Sequence, residues 1–314
     1  MKNNTIKDGI VNEATEKEAS SENTENTVDK KKMGGYETVR KIMMIIFGAL
    51  FLVFLAITVA FMIRNHNAKK ANDDIMGGFN QITNPGTLPS DDDPVIVMPG
   101  DDTSGLTPGE TQSPEDEAYS KYVAECIAEA KKLKEEYSDF RAIIVIEGDT
   151  VNLKYPVFQS TDNQYYVEYL VDGSKNTAGE IFIDCRNSGE ILNNRNTVIY
   201  GHNMNNGTKF GQLHKYKHNN AFYTHNVTII TAEAVLIFKP FSFYKTDIYN
   251  PYTRMKFEND ADFAEFCRSE QERSMFESNI EFTGKERIIT LSTCYGTSKT
   301  ERYCLHAVLV NISK

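Results

Sequence analysis

The chain has 314 residues, with 44 acidic against 34 basic side chains and a formal charge of −10. That balance argues against a nucleic-acid surface as its main business. Its five cysteines, Cys126, Cys185, Cys267, Cys294 and Cys304, form no CxxC pair and no zinc-type spacing, which leaves either small buried residues or a reactive thiol.

From the N-terminus, residues 1–41 are polar and rich in Glu, Asn, Lys and Thr, which predicts a disordered tail. Residues 42–63 read IMMIIFGALFLVFLAITVAFMI, an uncharged run long enough to cross a hydrocarbon core of about 30 Å as a helix. It is too long for the core of a signal peptide. Lys30, Lys31, Lys32, Arg40 and Lys41 precede it, whereas Arg64, Lys69 and Lys70 follow. The excess on the N-terminal side predicts a single-pass anchor with a cytoplasmic N-terminus. Residues 64–112 carry Pro85-Gly86, Asp91-Asp92-Asp93-Pro94 and Pro108-Gly109, the composition of a flexible acidic linker.

The folded domain is predicted over 113–314. Ser113-Pro114-Glu115-Asp116-Glu117 opens a helix, with proline in the first turn and acids at the positive end of the dipole. Tyr122, Ile127, Ala130 and Leu133 continue it at helical spacing. Short strands follow at Arg141–Ile146, Val151–Tyr155, Glu180–Asp184, Asn196–Tyr200, Val227–Ile230, Ala234–Phe238, Arg287–Leu291 and Tyr303–Val310. Helical insertions fall at Thr208–Lys217 and Asp260–Arg268. Many short strands with few helices predict a mainly β fold, a barrel or a sandwich.

Three strand ends carry residues suited to chemistry. The run TLSTC, 290–294, ends at Cys294 before a Gly-containing loop; alone, this also fits a structural cysteine. Val198–Tyr200 runs into Gly201-His202-Asn203, and histidine titrates near neutrality, as proton transfer to a thiol requires. Arg302 opens the last strand; if the two final strands form an antiparallel hairpin, it lies at the same end as Cys294. A guanidinium can hold an oxygen that becomes negative, although a surface ion pair is its commoner role. A cysteine nucleophile needs a proton partner and a charge stabiliser, and these three residues supply both. Of the other histidines, His306 is the best rival, in phase with Arg302 on the last strand but further from its end.

Residues 116–314 resemble the sortases, the class B group in particular. The resemblance rests on TLSTC at 290–294 with Arg302 downstream and on NTVIYGHNM at 196–204. The Tyr155-Pro156 step, Asn163–Tyr166, GEIFIDCRN at 179–187, Tyr249–Asn259 and the insertion at 260–270 support it. It implies an eight-stranded β-barrel with an N-terminal helix and short helical insertions. It also implies a cysteine transpeptidase without metal or organic cofactor. Cys294 would attack the threonine carbonyl of a C-terminal sorting motif in a secreted protein, His202 would act as acid and base, and Arg302 would stabilise the oxyanion. A peptidoglycan precursor or stem-peptide amine would resolve the thioester. Asn163, Tyr200, Tyr252, Ser292 and Thr293 would line the substrate groove, and Asp184 would either orient His202 or serve as a buried structural carboxylate. The alternatives are a pilin polymerase using a lysine amine, a thiol hydrolase that releases proteins, and a non-catalytic adhesin on a stalk.

Overall fold

No proline interrupts residues 8–75, and Ala, Glu, Lys and Leu recur through them, so the segment winds into one helix, α1 (Asp8–Ile75). The computed structural model describes residues 8–85, 114–218, 224–294 and 300–314, with the backbone alone for 8–34 and for Cys294. The backbone from Asp8 is therefore helical where polarity alone suggested a disordered tail, because Glu, Lys and Ala favour helix even without an apolar face. The chain divides into two compact units, Met1–Ile63 and Arg64–Lys314.

In the first unit the segment 42–63 shows its apolar side chains with no protein cover; Phe51 and Phe54 are 63% and 67% exposed. This part of α1 is long and apolar enough to cross a membrane.

The second unit begins with the last turns of α1. Composition assigned 64–112 to a linker, but residues 64–82 fold onto the domain. Met76 and Phe79 are fully buried, together with Tyr122, Val123 and Ile127 of α2 (Pro114–Glu136). Asn176 Nδ2 donates to the Arg64 carbonyl at 3.1 Å. Three apolar residues within five positions suffice for this docking, and the surrounding Asn, Asp and Lys mask them in a composition average. Residues 86–113, including the rest of the predicted linker and Ser113, lie outside the described residues.

The eight strands are β1 (Phe140–Ile146), β2 (Leu153–Phe158), β3 (Ile181–Ile183), β4 (Asn196–Tyr200), β5 (Val227–Ile230), β6 (Val235–Asp247), β7 (Ile288–Cys294) and β8 (Glu301–Ser313). They close into a barrel in the order β1-β2-β3-β4-β7-β8-β6-β5. The pairs β2–β3 and β4–β7 are parallel and the rest antiparallel. Alternate residues such as Ile289 and Leu291, or Leu305, Ala307 and Leu309, fill the interior. The outer face is also covered. α2 packs over β1 through Val123, Ile127 and Ile143, the single turn α3 (Tyr165–Glu168) adds the buried Tyr166, and α4 (Asp260–Glu272) packs over β7 and β8 through Phe263, Phe266, Ile288 and Val308. Asn259 caps α4 by accepting from the Asp262 amide at 3.0 Å.

β6 is much longer than its sequence pattern suggested. It runs through Pro240, where the pairing with β8 shifts register, and a bulge is where the missing proline N–H costs no ladder bond. β2 likewise continues through Pro156.

Candidate active site

The strand order places the three chemically suited positions side by side. β4 and β7 are parallel neighbours with Tyr200 opposite Ser292, so His202 and Cys294 each lie two residues further along. The Gly201 amide donates to the Ser292 carbonyl at 3.2 Å, carrying the ladder one step beyond the strand. On the other side of β7, Cys294 is the direct antiparallel partner of Arg302. Opposed residues in such a pair have Cα atoms about 5 Å apart. Cys294 therefore ends the central strand of three, flanked by His202 and Arg302.

Local sequence explains how His202 is presented. A Cβ on Gly201 would lie 2.7 Å from the Phe210 ring, so only glycine lets the chain turn over that aromatic. The loop then returns, and the Phe210 amide donates to the His202 carbonyl at 3.0 Å. The half-buried imidazole is oriented by Val167, whose carbonyl lies 2.8 Å from Nε2. A carbonyl can only accept, so Nε2 carries the proton and Nδ1 is the basic nitrogen. Arg302 is half-buried, and its Nη1 donates to the Glu301 carbonyl at 2.8 Å.

Asp184 is buried, and its bonds lead elsewhere than to His202. Arg186 grips it bidentately, Nε to Oδ1 at 2.9 Å and Nη2 to Oδ2 at 2.7 Å, and the Tyr200 hydroxyl donates to Oδ2 at 2.9 Å. Burial pushes the Asp184 pKa up, but the bonds from Arg186, Asn163 and Tyr200 outweigh it and hold the carboxyl below its ordinary value. Burial and the adjacent Asp184 charge raise the Tyr200 pKa, so the phenol stays a donor. The structural alternative for Asp184 is the one the geometry supports.

The residues expected to line a groove are placed as follows. Tyr200 and Ser292 are partners on the adjacent strands β4 and β7. Tyr252 reaches in from the segment after β6, with its hydroxyl 3.0 Å from Ser292 Oγ. Asn163 Oδ1 accepts from the Cys185 amide at 2.8 Å and so ties two loops together. The Thr293 hydroxyl is buried and has no hydrogen-bond partner among the described residues.

Cys126, Cys185, Cys267 and Cys304 are free thiols. Burial pushes Cys126 up to about 11 and raises Cys267 and Cys304 as well, which makes these three poor nucleophiles. Sequence reasoning missed the Val167 carbonyl, which any residue could supply, and the ion pair between Lys209 and Glu180 described below.

A closed eight-stranded barrel with a cysteine, a histidine and an arginine at the ends of three adjacent strands defines a class of thiol-dependent acyl-transfer proteins. The sortase domain family model matches residues 146–310. The chain belongs to the sortase family, in its class B branch. It is 36% identical to sortase B of Listeria monocytogenes over 175 residues, 54% of this chain and 66% of that protein. It is 30% identical to sortase B of Staphylococcus aureus over 197 residues, 62% of this chain and 80% of that protein. A structure of the Staphylococcus aureus sortase B–substrate complex superposes with a TM-score of 0.53 at 31% identity, covering 59% of this chain and 85% of that one.

Proposed function

We propose that this cysteine transpeptidase cleaves a C-terminal sorting motif after threonine and transfers the secreted protein to a peptidoglycan amine. The observation that carries the reading is the register: Cys294 opposite Arg302 on one side, and two steps past the Tyr200–Ser292 pair that leads to His202 on the other.

The chemistry balances without a cofactor. His202 Nδ1 takes the thiol proton, and the Cys294 sulfur attacks the threonine carbonyl carbon. The C–N bond breaks, the thioester forms, and the leaving amine takes its proton from His202. An incoming amine then loses a proton to His202 as its nitrogen displaces the sulfur, and His202 returns that proton to the departing Cys294 thiolate, restoring the free enzyme. Arg302 holds the oxygen that becomes negative in both tetrahedral intermediates. Tyr200, Tyr252, Ser292 and Asn163 form the floor and wall of the peptide groove. Thr293, whose buried hydroxyl has no partner among the described residues, is a donor that an incoming acyl group can use. Anchored by residues 42–63 with its N-terminus in the cytoplasm, the enzyme would present the barrel outside the cell, where its substrates emerge. The basic residues before the span support that orientation.

The test is to incubate the full chain, in detergent micelles, with fluorogenic peptides carrying threonine-containing motifs, with and without a stem-peptide amine. Cleavage after threonine with an amine adduct supports the reading. Rapid cleavage indifferent to amine would make the enzyme a hydrolase, and a pilin lysine as the sole effective amine would make it a polymerase.

A further inference from the structure

Beside His202 lies a buried ion pair that the reaction does not itself require. Lys209 Nζ and Glu180 Oε2 are 2.6 Å apart, with the two side chains 3% and 4% exposed. Taking two charges out of water costs about as much as their attraction returns, so such a pair is a poor device for stability alone. Its backbone setting is also unusual. Lys209 has φ 52°, in the left-handed region that glycine normally occupies, so a lysine here is held against its local preference.

The pair joins the two segments that grip His202. On the Lys209 side, Asn203 and Lys209 form an antiparallel bridge, and the next residue, Phe210, donates its amide to the His202 carbonyl. The Lys209 amide hydrogen-bonds the Tyr155 hydroxyl, and its ammonium lies 5.3 Å from the Tyr155 ring centre. On the Glu180 side, the backbone amide donates to the Tyr166 carbonyl at 2.9 Å, and Oε1 accepts from the Val171 amide at 3.3 Å. Gly179 passes so close beneath this turn that a Cβ would lie 2.2 Å from the Tyr166 carbonyl oxygen and 2.8 Å from that of Val167. Val167 is the residue that accepts from His202 Nε2. The contacts thus close a ring: His202 to Val167, the 166–167 turn to Glu180, Glu180 to Lys209, and Lys209–Phe210 back to His202.

We propose that Lys209 and Glu180 are positioning residues that hold the His202 imidazole in one orientation and one tautomer, with Nε2 protonated and Nδ1 presented for proton transfer. The inference rests on the reading of His202 as acid and base. Losing the pair frees the loop to drift from Val167, the ring then samples the other tautomer, and proton transfer slows while peptide binding persists.

The full chain, labelled with 15N-histidine in detergent micelles, tests this through three readouts: the tautomer of His202 by its ring nitrogen shifts, the pH profile of Cys294 alkylation by iodoacetamide, and turnover of the threonine-motif peptide it cleaves fastest. In Lys209→Met we expect a mixed tautomer, at least fivefold slower alkylation at pH 7, and kcat about tenfold lower with KM within twofold. Lys209→Arg should restore most of each. Because a lone buried carboxylate could prevent folding, Glu180→Gln with Lys209→Gln is the companion variant. It removes both charges and should keep the melting temperature but not the single tautomer. A folded double variant with wild-type tautomer, alkylation profile and kcat would overturn the proposal. His202→Ala runs alongside: full turnover there would sink the acid/base reading, whereas the His202 tautomer measured in the Lys209 and Glu180 variants would still report on the clamp.

Discussion

Two histidines sit close to the same three strands and differ in everything that matters for chemistry. His202 is half-buried at a strand end, and among the described residues its ring makes one bond, to a backbone carbonyl. His306 is fully buried on β8. Thr290 Oγ1 lies 2.9 Å from its Nδ1, Glu270 and Tyr244 lie 3.5 and 3.4 Å from its Nε2, and Phe241, Tyr244 and Phe266 surround the ring. Both nitrogens of His306 are engaged and α4 seals it from solvent, so it suits holding a helix to a sheet. Nδ1 of His202 has no partner among the described residues, as the proposed role in proton transfer requires. Occupied hydrogen-bond capacity, more than residue type, separates a structural histidine from a proton carrier.

The largest effects should fall on activity. Cys294→Ala should abolish turnover, and His202→Ala should lower kcat by about 10²–10⁴-fold, both with melting temperatures near wild type. Arg302→Lys keeps the charge but loses the planar fork, and should cost about 10²–10³-fold in kcat as measured with the same fluorogenic peptide. The reverse pattern is expected under α4. His306→Ala opens a cavity under α4 and leaves Thr290 and Glu270 each short of a hydrogen-bond partner, and should cost about 1–3 kcal/mol in urea unfolding while the folded fraction turns over normally. Met76→Ala should cost about 2–5 kcal/mol by opening a cavity between the end of α1 and α2, which tests whether residues 64–82 belong to the domain.

The smallest effect is on the acid limb of stability. The folded pKa values of Asp184 and Glu270 are both lowered: burial opposes ionisation in each, but hydrogen bonds led by Arg186 and by His306 respectively outweigh it. A carboxyl with a lowered folded pKa binds fewer protons folded than unfolded. Its contribution is therefore complete above the unfolded value, about 4, and is lost as pH falls through the folded value. Asp184→Asn should flatten the dependence of melting temperature on pH below about 4 and leave it unchanged between pH 6 and 8.

The same contrast shows how far the amino-acid pattern could be read. Runs of β-branched residues bounded by turns located all eight strands, because burial on one or both faces leaves that mark. The three strand-end residues were legible because each is a rare side chain at the end of such a run. The continuation of β6 past Pro240 was hidden, since proline reads as a stop unless a bulge accommodates it. The docking of Met76 and Phe79 was hidden among polar neighbours. The Val167 carbonyl has no side-chain signature, and Glu180 meets Lys209 across 29 residues only once β3 and β4 are paired. Asp184, in a stretch suggestive of the site, turned out to serve Arg186 and Tyr200.

The most direct test of the central claim is intact-mass and peptide mapping of the full chain after brief exposure to the threonine-motif peptide, before and after a stem-peptide amine is added. The account predicts an acyl adduct on Cys294 alone, discharged by the amine into a peptide–amine product and absent from Cys294→Ala. An adduct on another cysteine, or cleavage without any acyl-enzyme, would contradict it.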